Sequence, residues 1–240
     1  QIMSSFTLAW HFLIFGVLPY VVIAVLVLGS LARFVLAPFS WKSQSSEILD
    51  KKDIFWGANL FHIGVIFLFC GHCFGLFTPT EWLNAAGLTP RLHQMMEIIC
   101  GGLSAIVAIT GLIILTWRRL TNERVRAASR PSDFWVLFLL LAVIILGIGC
   151  VVNSYLYDKS GATIILLGGW VRGLFSFDYQ AWQNILLVPD WQKAHIFVGL
   201  IIFLIVPFTR LVHIWSGYLS VFYLIRPHQI MRANNGKPMK

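Results

Sequence analysis

The sequence predicts an all-α integral membrane protein of five transmembrane helices, with its amino terminus outside and its carboxyl terminus cytoplasmic. Three observations carry that expectation. The first is composition: of 240 residues, 58% are hydrophobic and only 12% are charged, against about 25% charged in an ordinary soluble domain. With a mean hydropathy of +0.78 there is too little polar side chain to coat a water-soluble globule. The second is five long apolar runs, each long enough at about 1.5 Å rise per residue to cross a hydrocarbon core about 30 Å thick. The third is the placement of the basic residues. Topology puts Arg33, Lys42, Lys51, Lys52, Arg118, Arg119, Arg124, Arg126, Arg130, Arg226, Arg232, Lys237 and Lys240 on one side. Only Arg91, Lys159 and Arg172 fall on the other, and the basic side is cytoplasmic.

The five runs lie in one domain covering residues 1–240. Span one covers roughly 10–35. It is too long, and too free of a basic leader, to read as a cleaved signal peptide, so it is expected to be a true span. Spans two, three and four cover roughly 54–77, 92–117 and 134–152. A connection from Asn153 to Asp190 on the outer side carries Trp170, Phe175, Phe177, Tyr179 and Trp182. It is either a segment lying at the membrane surface or a packed cap over the bundle. Span five covers roughly 191–215, and residues 216–240 form a cytoplasmic tail. Lipid offers no hydrogen bonds to the backbone, so these runs are expected to be helices. Pro19 and Pro207 each predict a kink, and one at Pro207 would redirect the chain beyond it.

The net charge of +8 raises nucleic acid as a partner in a soluble protein, but here it is explained by orientation and no nucleic acid is expected. Cys70, Cys73, Cys100 and Cys150 fall in or beside apolar runs and read as small core residues. Cys70-Gly71-His72-Cys73 is succeeded by Phe74, so the covalent haem signature is absent.

Ionisable side chains inside spans are costly and usually functional. Four histidines stand out, His62 and His72 in span two and His195 and His213 in span five; His11, His93 and His228 are less informative. Spans two and five are antiparallel. That places His72 and His195 together toward the outer side and His62 and His213 toward the inner side. On one continuous helix His195 and His213 share a face and lie about 27 Å apart along the axis. His213 would then sit close to the inner end while His62 lies deeper, so the inner pair fits less well than the outer. Two imidazoles facing each other in apolar surroundings suit a haem iron with two axial nitrogens, and two such sites make an electron wire. Gly57, Gly64 and Gly71 recur every seven residues, with Gly75 next. That stripe suits either the close approach of a flat ring or close helix packing. A bare metal ion wants three or four clustered ligands, and a proton relay wants acids beside the histidines. Glu97 alone qualifies within a span, near its end. No Ser, His and acid constellation for nucleophilic catalysis occurs in the spans.

At the level of motifs the chain resembles the gamma-subunit family of respiratory nitrate reductase, a cytochrome b. The stretches that carry the resemblance are Asn59-Leu60-Phe61-His62-Ile63-Gly64 with Gly71-His72 and Gly75, and Pro207-Phe208-Thr209-Arg210-Leu211-Val212-His213. Ser45-Ser46-Glu47-Ile48-Leu49-Asp50 and Arg118-Arg119-Leu120 are also similar to that family's loops. The resemblance implies two haem b groups, an outer one on His72 and His195 and an inner one on His62 and His213. Gly64 and Gly71 would lie beside the rings. It implies oxidation of quinol near the outer haem. Electrons would pass to an iron–sulfur beta subunit that feeds a molybdenum alpha subunit on the cytoplasmic side of a bacterial or archaeal membrane.

One position departs from the family. A lysine expected near the outer start of span three is replaced within His93-Gln94-Met95-Met96-Glu97, so His93 and Gln94 are expected as quinone contacts. The departure leaves open the same wire run in reverse, as in a nitrite oxidoreductase. Cytochrome b subunits of sulfite-reduction-linked or heterodisulfide-type complexes are the further alternatives, with a non-redox anchor or transporter behind them. Arg210, one turn before His213, is expected to neutralise a propionate of the inner haem.

Overall fold

A computed structural model describes residues 5–37, 40 and 52–215. Lys42, Lys51, Arg226, Arg232, Lys237, Lys240, His228, the Ser45–Asp50 motif and the 216–240 tail lie outside the described residues, and the Lys52 side chain is likewise not described. Among the described residues all regular structure is helical. In chain order the helices are α1 (Ser5–Leu36), α2 (Lys52–Phe77), α3 (Thr80–Ala85), α4 (Pro90–Thr121), α5 (Glu123–Ala127), α6 (Pro131–Tyr157), α7 (Ala162–Phe175) and α8 (Asp190–Ile205). Five segments are long and apolar enough to cross a membrane: α1, Ile54–Phe77 within α2, α4, α6, and Asp190–Phe208, which starts with α8.

The chain starts and stops its helices with chemistry legible in the sequence. Thr89 caps α4, its hydroxyl accepting from the Leu92 amide at 3.3 Å, and Pro90 takes the first helical position, where a missing N–H costs nothing. Pro131 does the same for α6, while the Asp133 carboxylate accepts from the Arg130 amide at 2.8 Å. Between α6 and α7 the Asp158 carboxylate accepts from the amides of Ser160, Gly161 and Thr163. Burial pushes that carboxyl up, but the hydrogen bonds from Thr163 and Ser160 outweigh it and hold Asp158 well below the usual carboxylate range. Gly161 closes the turn at φ +78°, and a Cβ there would strike the Pro90 backbone.

Helix packing uses small residues, as it must where lipid removes the hydrophobic drive for association. Gly57 and Gly64 of α2 meet Gly111 and Ala108 of α4. A Cβ on Gly64 would overlap the Ala108 backbone, and one on Gly111 would overlap that of Phe61. Ala105, Ala108 and Leu112 then bury against Ile144 of α6. Outward faces carry Phe67, Leu103, Ile106 and Ile145, each more than half exposed, as a lipid-facing surface requires. Cys70 and Cys100 are also exposed, so the reading of the cysteines as core holds only for the half-buried Cys73 and Cys150.

The connection after α6 is a packed cap with an exposed tip. Trp170, Val171 and Leu174 of α7 bury with Phe15, Ala181, Ile185 and Val188. Trp170 Nε1 donates to the Phe15 carbonyl at 2.8 Å, within the π-helical turn Leu13–Val17 of α1. Phe177 and Tyr179 stay exposed.

Span five corrects the expectation of one helix from 191 to 215. α8 ends at Ile205; short 3-10 turns come next at Val206–Phe208 and Arg210–Val212, with Thr209 extended between them. Pro207 cannot donate to the helical ladder, and the Leu211 amide turns instead to the Thr209 hydroxyl at 3.3 Å. This strands the carbonyls of Pro207 and Thr209. Arg33 of α1 reaches across and donates Nη1 to both, at 2.7 and 2.8 Å. Its Nε and Nη2 hold Ser40. Arg33 counted only toward orientation in the sequence; in the fold it satisfies a broken helix, as buried backbone demands.

Candidate functional site

The four span histidines meet in two pairs across α2 and the last span. His72 and His195 have ring centroids 6.1 Å apart with planes 20° from parallel. His62 and His213 are also 6.1 Å apart, at 71°. Depth along antiparallel spans predicts these pairings, but with a continuous fifth helix. The break at Pro207 brings His213 level with His62, so the misfit anticipated for that pair disappears.

Each ring is oriented by a backbone carbonyl. His62 Nδ1 donates to Ala58 O and His72 Nδ1 to Leu68 O, each at 2.7 Å. His195 Nδ1 donates to Val143 O of α6 at 2.9 Å, and His213 Nδ1 to Arg210 O at 2.6 Å. A carbonyl oxygen only accepts, so every Nδ1 carries the proton and every Nε2 carries the lone pair. That is the tautomer of a metal-ligating imidazole with a backbone partner behind it.

The spacing can be tested against a haem. A nitrogen–metal bond of about 2.0 Å on each side of one ion, plus the distance from ring nitrogen to ring centre, separates two centroids by about 6 Å. The observed 6.1 Å at both pairs fits. A flat macrocycle also needs room beside the rings, and a Cβ added to Gly71 would meet nothing within 4 Å. Gly64 differs: its bare face is taken by Ala108, so the glycine stripe divides into packing at Gly57 and Gly64 and open space at Gly71. No group of three or more His, Cys, Asp or Glu suited to a bare metal ion occurs among the described residues.

Two positions that support the site were not singled out from the sequence. A Cβ on Gly147 of α6 would lie 3.1 Å from His195 Cε1; its absence lets the ring reach the Val143 carbonyl one turn earlier. Asp133, 5% exposed, binds Arg119 at 3.1 Å and Arg210 at 2.5 Å. Arg210, expected at a propionate, thus has its guanidinium on Asp133, while its carbonyl orients His213. Only a clustering of two basic residues and one acid near the basic ends of three spans hinted at this, and sequence separation hid it.

The expected quinone contacts also part company. Gln94 is buried and spent on structure: its Oε1 accepts from Arg91 at 2.7 Å and its Nε2 donates to the Asp158 carbonyl at 2.9 Å, tying α4 to the end of α6. His93 is different. It is 5% exposed, its Nε2 has no hydrogen-bond partner, and it lines a cleft with Gly75, Thr78, Pro90, Ile164 and Arg172. Gly75 is three residues from His72, so the cleft adjoins the His72–His195 pair. Arg172 of α7 lies across it and donates to the Leu76 and Thr78 carbonyls, both at 3.1 Å, closing the end of α2.

The chain is similar in sequence to known proteins. The family described as "Nitrate reductase gamma subunit" matches residues 11–234. The chain is similar to the respiratory nitrate reductase 2 gamma chain of Escherichia coli K12, with 36% identity over 91% of this chain and 95% of that protein. It is 34% identical to the nitrate reductase gamma chain of Bacillus subtilis 168, over 93% of this chain and 98% of that one. A nitrate reductase-like protein of Mycobacterium tuberculosis matches at 28% over 92% of this chain and 34% of its own length.

Proposed function

The chain belongs to the nitrate reductase gamma-subunit family, the membrane subunit of an oxidoreductase complex with alpha and beta partners, and on that premise we propose that it carries electrons from quinol to those partners through two b-type haems. His72 and His195 would hold the outer haem and His62 and His213 the inner. The haems would supply one-electron chemistry. The observation that carries the reading is the pair of facing imidazoles, each with Nδ1 on a backbone carbonyl and centroids 6.1 Å apart.

The residues of this chain do the rest. The carbonyls of Ala58, Leu68, Val143 and Arg210 fix the tautomers and so present Nε2 to iron without a reorganisation cost. Gly71 leaves space for a ring edge. The amino terminus lies outside and the basic end of the bundle lies in the cytoplasm of a bacterial or archaeal cell, against the iron–sulfur beta and molybdenum alpha subunits. Quinol docks in the cleft at His93, beside the outer pair, and releases its protons outside while electrons travel inward. That separation is worth about 2.3 kcal/mol per elementary charge at 100 mV.

The test is a reduced-minus-oxidised visible spectrum of the purified complex with single histidine changes. His72→Ala or His195→Ala is expected to remove one haem, and His62→Ala or His213→Ala the other. Loss of both haems, or of neither, from any of these changes overturns the pairing.

A further inference from the structure

Glu97 lies seven residues into its span, whereas Asp133 and Asp190 sit in the first turns of theirs. A carboxyl group at that depth is expensive and functional by default. It opens a π-helical turn, Glu97–Gly101, a distortion found frequently at functional sites because it re-aims side chains. Its position relative to His93 is specific. A Cβ on Gly75 would sit 2.5 Å from Glu97 Oε1 and 3.4 Å from His93 Nε2, so the two atoms converge on one point, at most about 6 Å apart by the triangle those distances define. Gly75 is buried and, having no side chain, lets both atoms approach its backbone. His93 Nε2, buried without a partner, is aimed there too. A hydroxyl held off the Gly75 backbone and about 3 Å from each atom would bridge them. Of the other polar side chains nearby, Gln94 is engaged with Arg91 and Asp158, and Arg172 with two carbonyls.

We propose that Glu97 is the catalytic base that takes a proton from quinol, with His93 holding the same hydroxyl. The inference rests on the quinol reading and assigns its proton chemistry. Oxidation of one quinol to quinone breaks two O–H bonds and gives up two electrons. The proton of the hydroxyl at His93 passes to the Glu97 carboxylate, and that of the far hydroxyl to water at the same end of the bundle. The electrons leave singly, through the centre held by His72 and His195, to the oxidised iron–sulfur centres of the partner chains. Thr78, Ile164 and Ile165 line the cleft on the far side of His93.

The experiment uses the intact complex with Glu97→Gln, which keeps the shape and removes the base. Three quantities are measured: the rate of haem reduction by menadiol, the affinity for a 4-hydroxyquinoline N-oxide by fluorescence quenching, and the infrared carboxyl band that appears on adding menadiol. The expected result is a fall in reduction rate of at least tenfold, probe affinity within threefold of wild type, an unchanged dithionite-reduced spectrum, and loss of a carboxylic acid band that the wild type shows. A reduction rate within twofold of wild type while the probe still binds overturns the role of Glu97 and leaves quinol binding intact. A wild-type complex that neither binds the probe nor accepts electrons from menadiol overturns both. If Glu97→Gln loses haem, Glu97→Asp decides, because it keeps the carboxylate but withdraws it by one methylene from His93 Nε2. Equal slowing with the spectrum intact then supports the proposal, and a normal rate overturns it.

Discussion

The two ends of the bundle each present two imidazoles with ring centroids 6.1 Å apart, at 20° at one end and 71° at the other, and build the pair by opposite means. At the end that holds His72 and His195 both histidines stand on unbroken helices, α2 and α8, and the partner of His195 is the Val143 carbonyl of α6, reached because Gly147 is bare. At the end that holds His62 and His213 the fifth helix is broken at Pro207, and His213 stands on a short turn after an extended residue. Its position is fixed from outside, by Arg33 on the stranded carbonyls and by Asp133 on Arg119 and Arg210. A regular helix positions a ligand through its own periodicity. A broken one needs charged residues from other helices, because each backbone group left unpaired in a membrane costs several kcal/mol.

The sharpest way to break this contrast between the two ends is Asp133→Ala. It leaves two guanidinium groups close together and mostly buried without their shared carboxylate, and removing one partner from a buried ion pair costs about 3–5 kcal/mol. The inner haem should be lost or its potential displaced, while the outer haem's spectrum stays unchanged. A loss shared equally between the haems would show that Asp133 holds the whole bundle. Redox titration of the two haems separates these outcomes.

Arg33→Leu should act in the same direction but less strongly, since two carbonyls lose a charged donor at about 1–3 kcal/mol each. The expected signature is a lower midpoint for thermal loss of the inner haem, with the outer haem leaving at its usual temperature. Recovery in Arg33→Lys should be partial, because an ammonium lacks the fork that serves Pro207, Thr209 and Ser40 together. Full recovery would mean that charge alone suffices.

The smallest effect belongs to the outer end. Gly147→Ala places a methyl 3.1 Å from His195 Cε1, so the ring must move by a few tenths of an ångström at about 1 kcal/mol. The outer haem's potential should shift modestly and the inner haem's not at all. Low-temperature electron paramagnetic resonance of the oxidised complex resolves the angle between imidazole planes and checks it. An unchanged outer signal would mean that the α6 carbonyl does not set the ring.

Much of this protein was determined by its sequence. Five apolar runs of sufficient length leave no alternative to helices in a solvent that cannot satisfy the backbone, and antiparallel order alone pairs His72 with His195 and His62 with His213. Thr89, Pro90 and Pro131 mark helix starts because capping is local chemistry. What required the tertiary structure was every role that depends on distant residues meeting. Pro207 announced a kink but not its direction, and Arg33, counted only as a basic residue, proved to be the donor that makes the break tolerable. Gln94 and His93 are neighbours of similar polarity, yet one is consumed by Asp158, 64 residues away, and the other faces a cleft. Gly64 and Gly71 belong to one stripe, but Ala108 fills the space beside the first and nothing fills that beside the second. Periodicity fixes which face of a helix a residue occupies; only packing decides what that face meets.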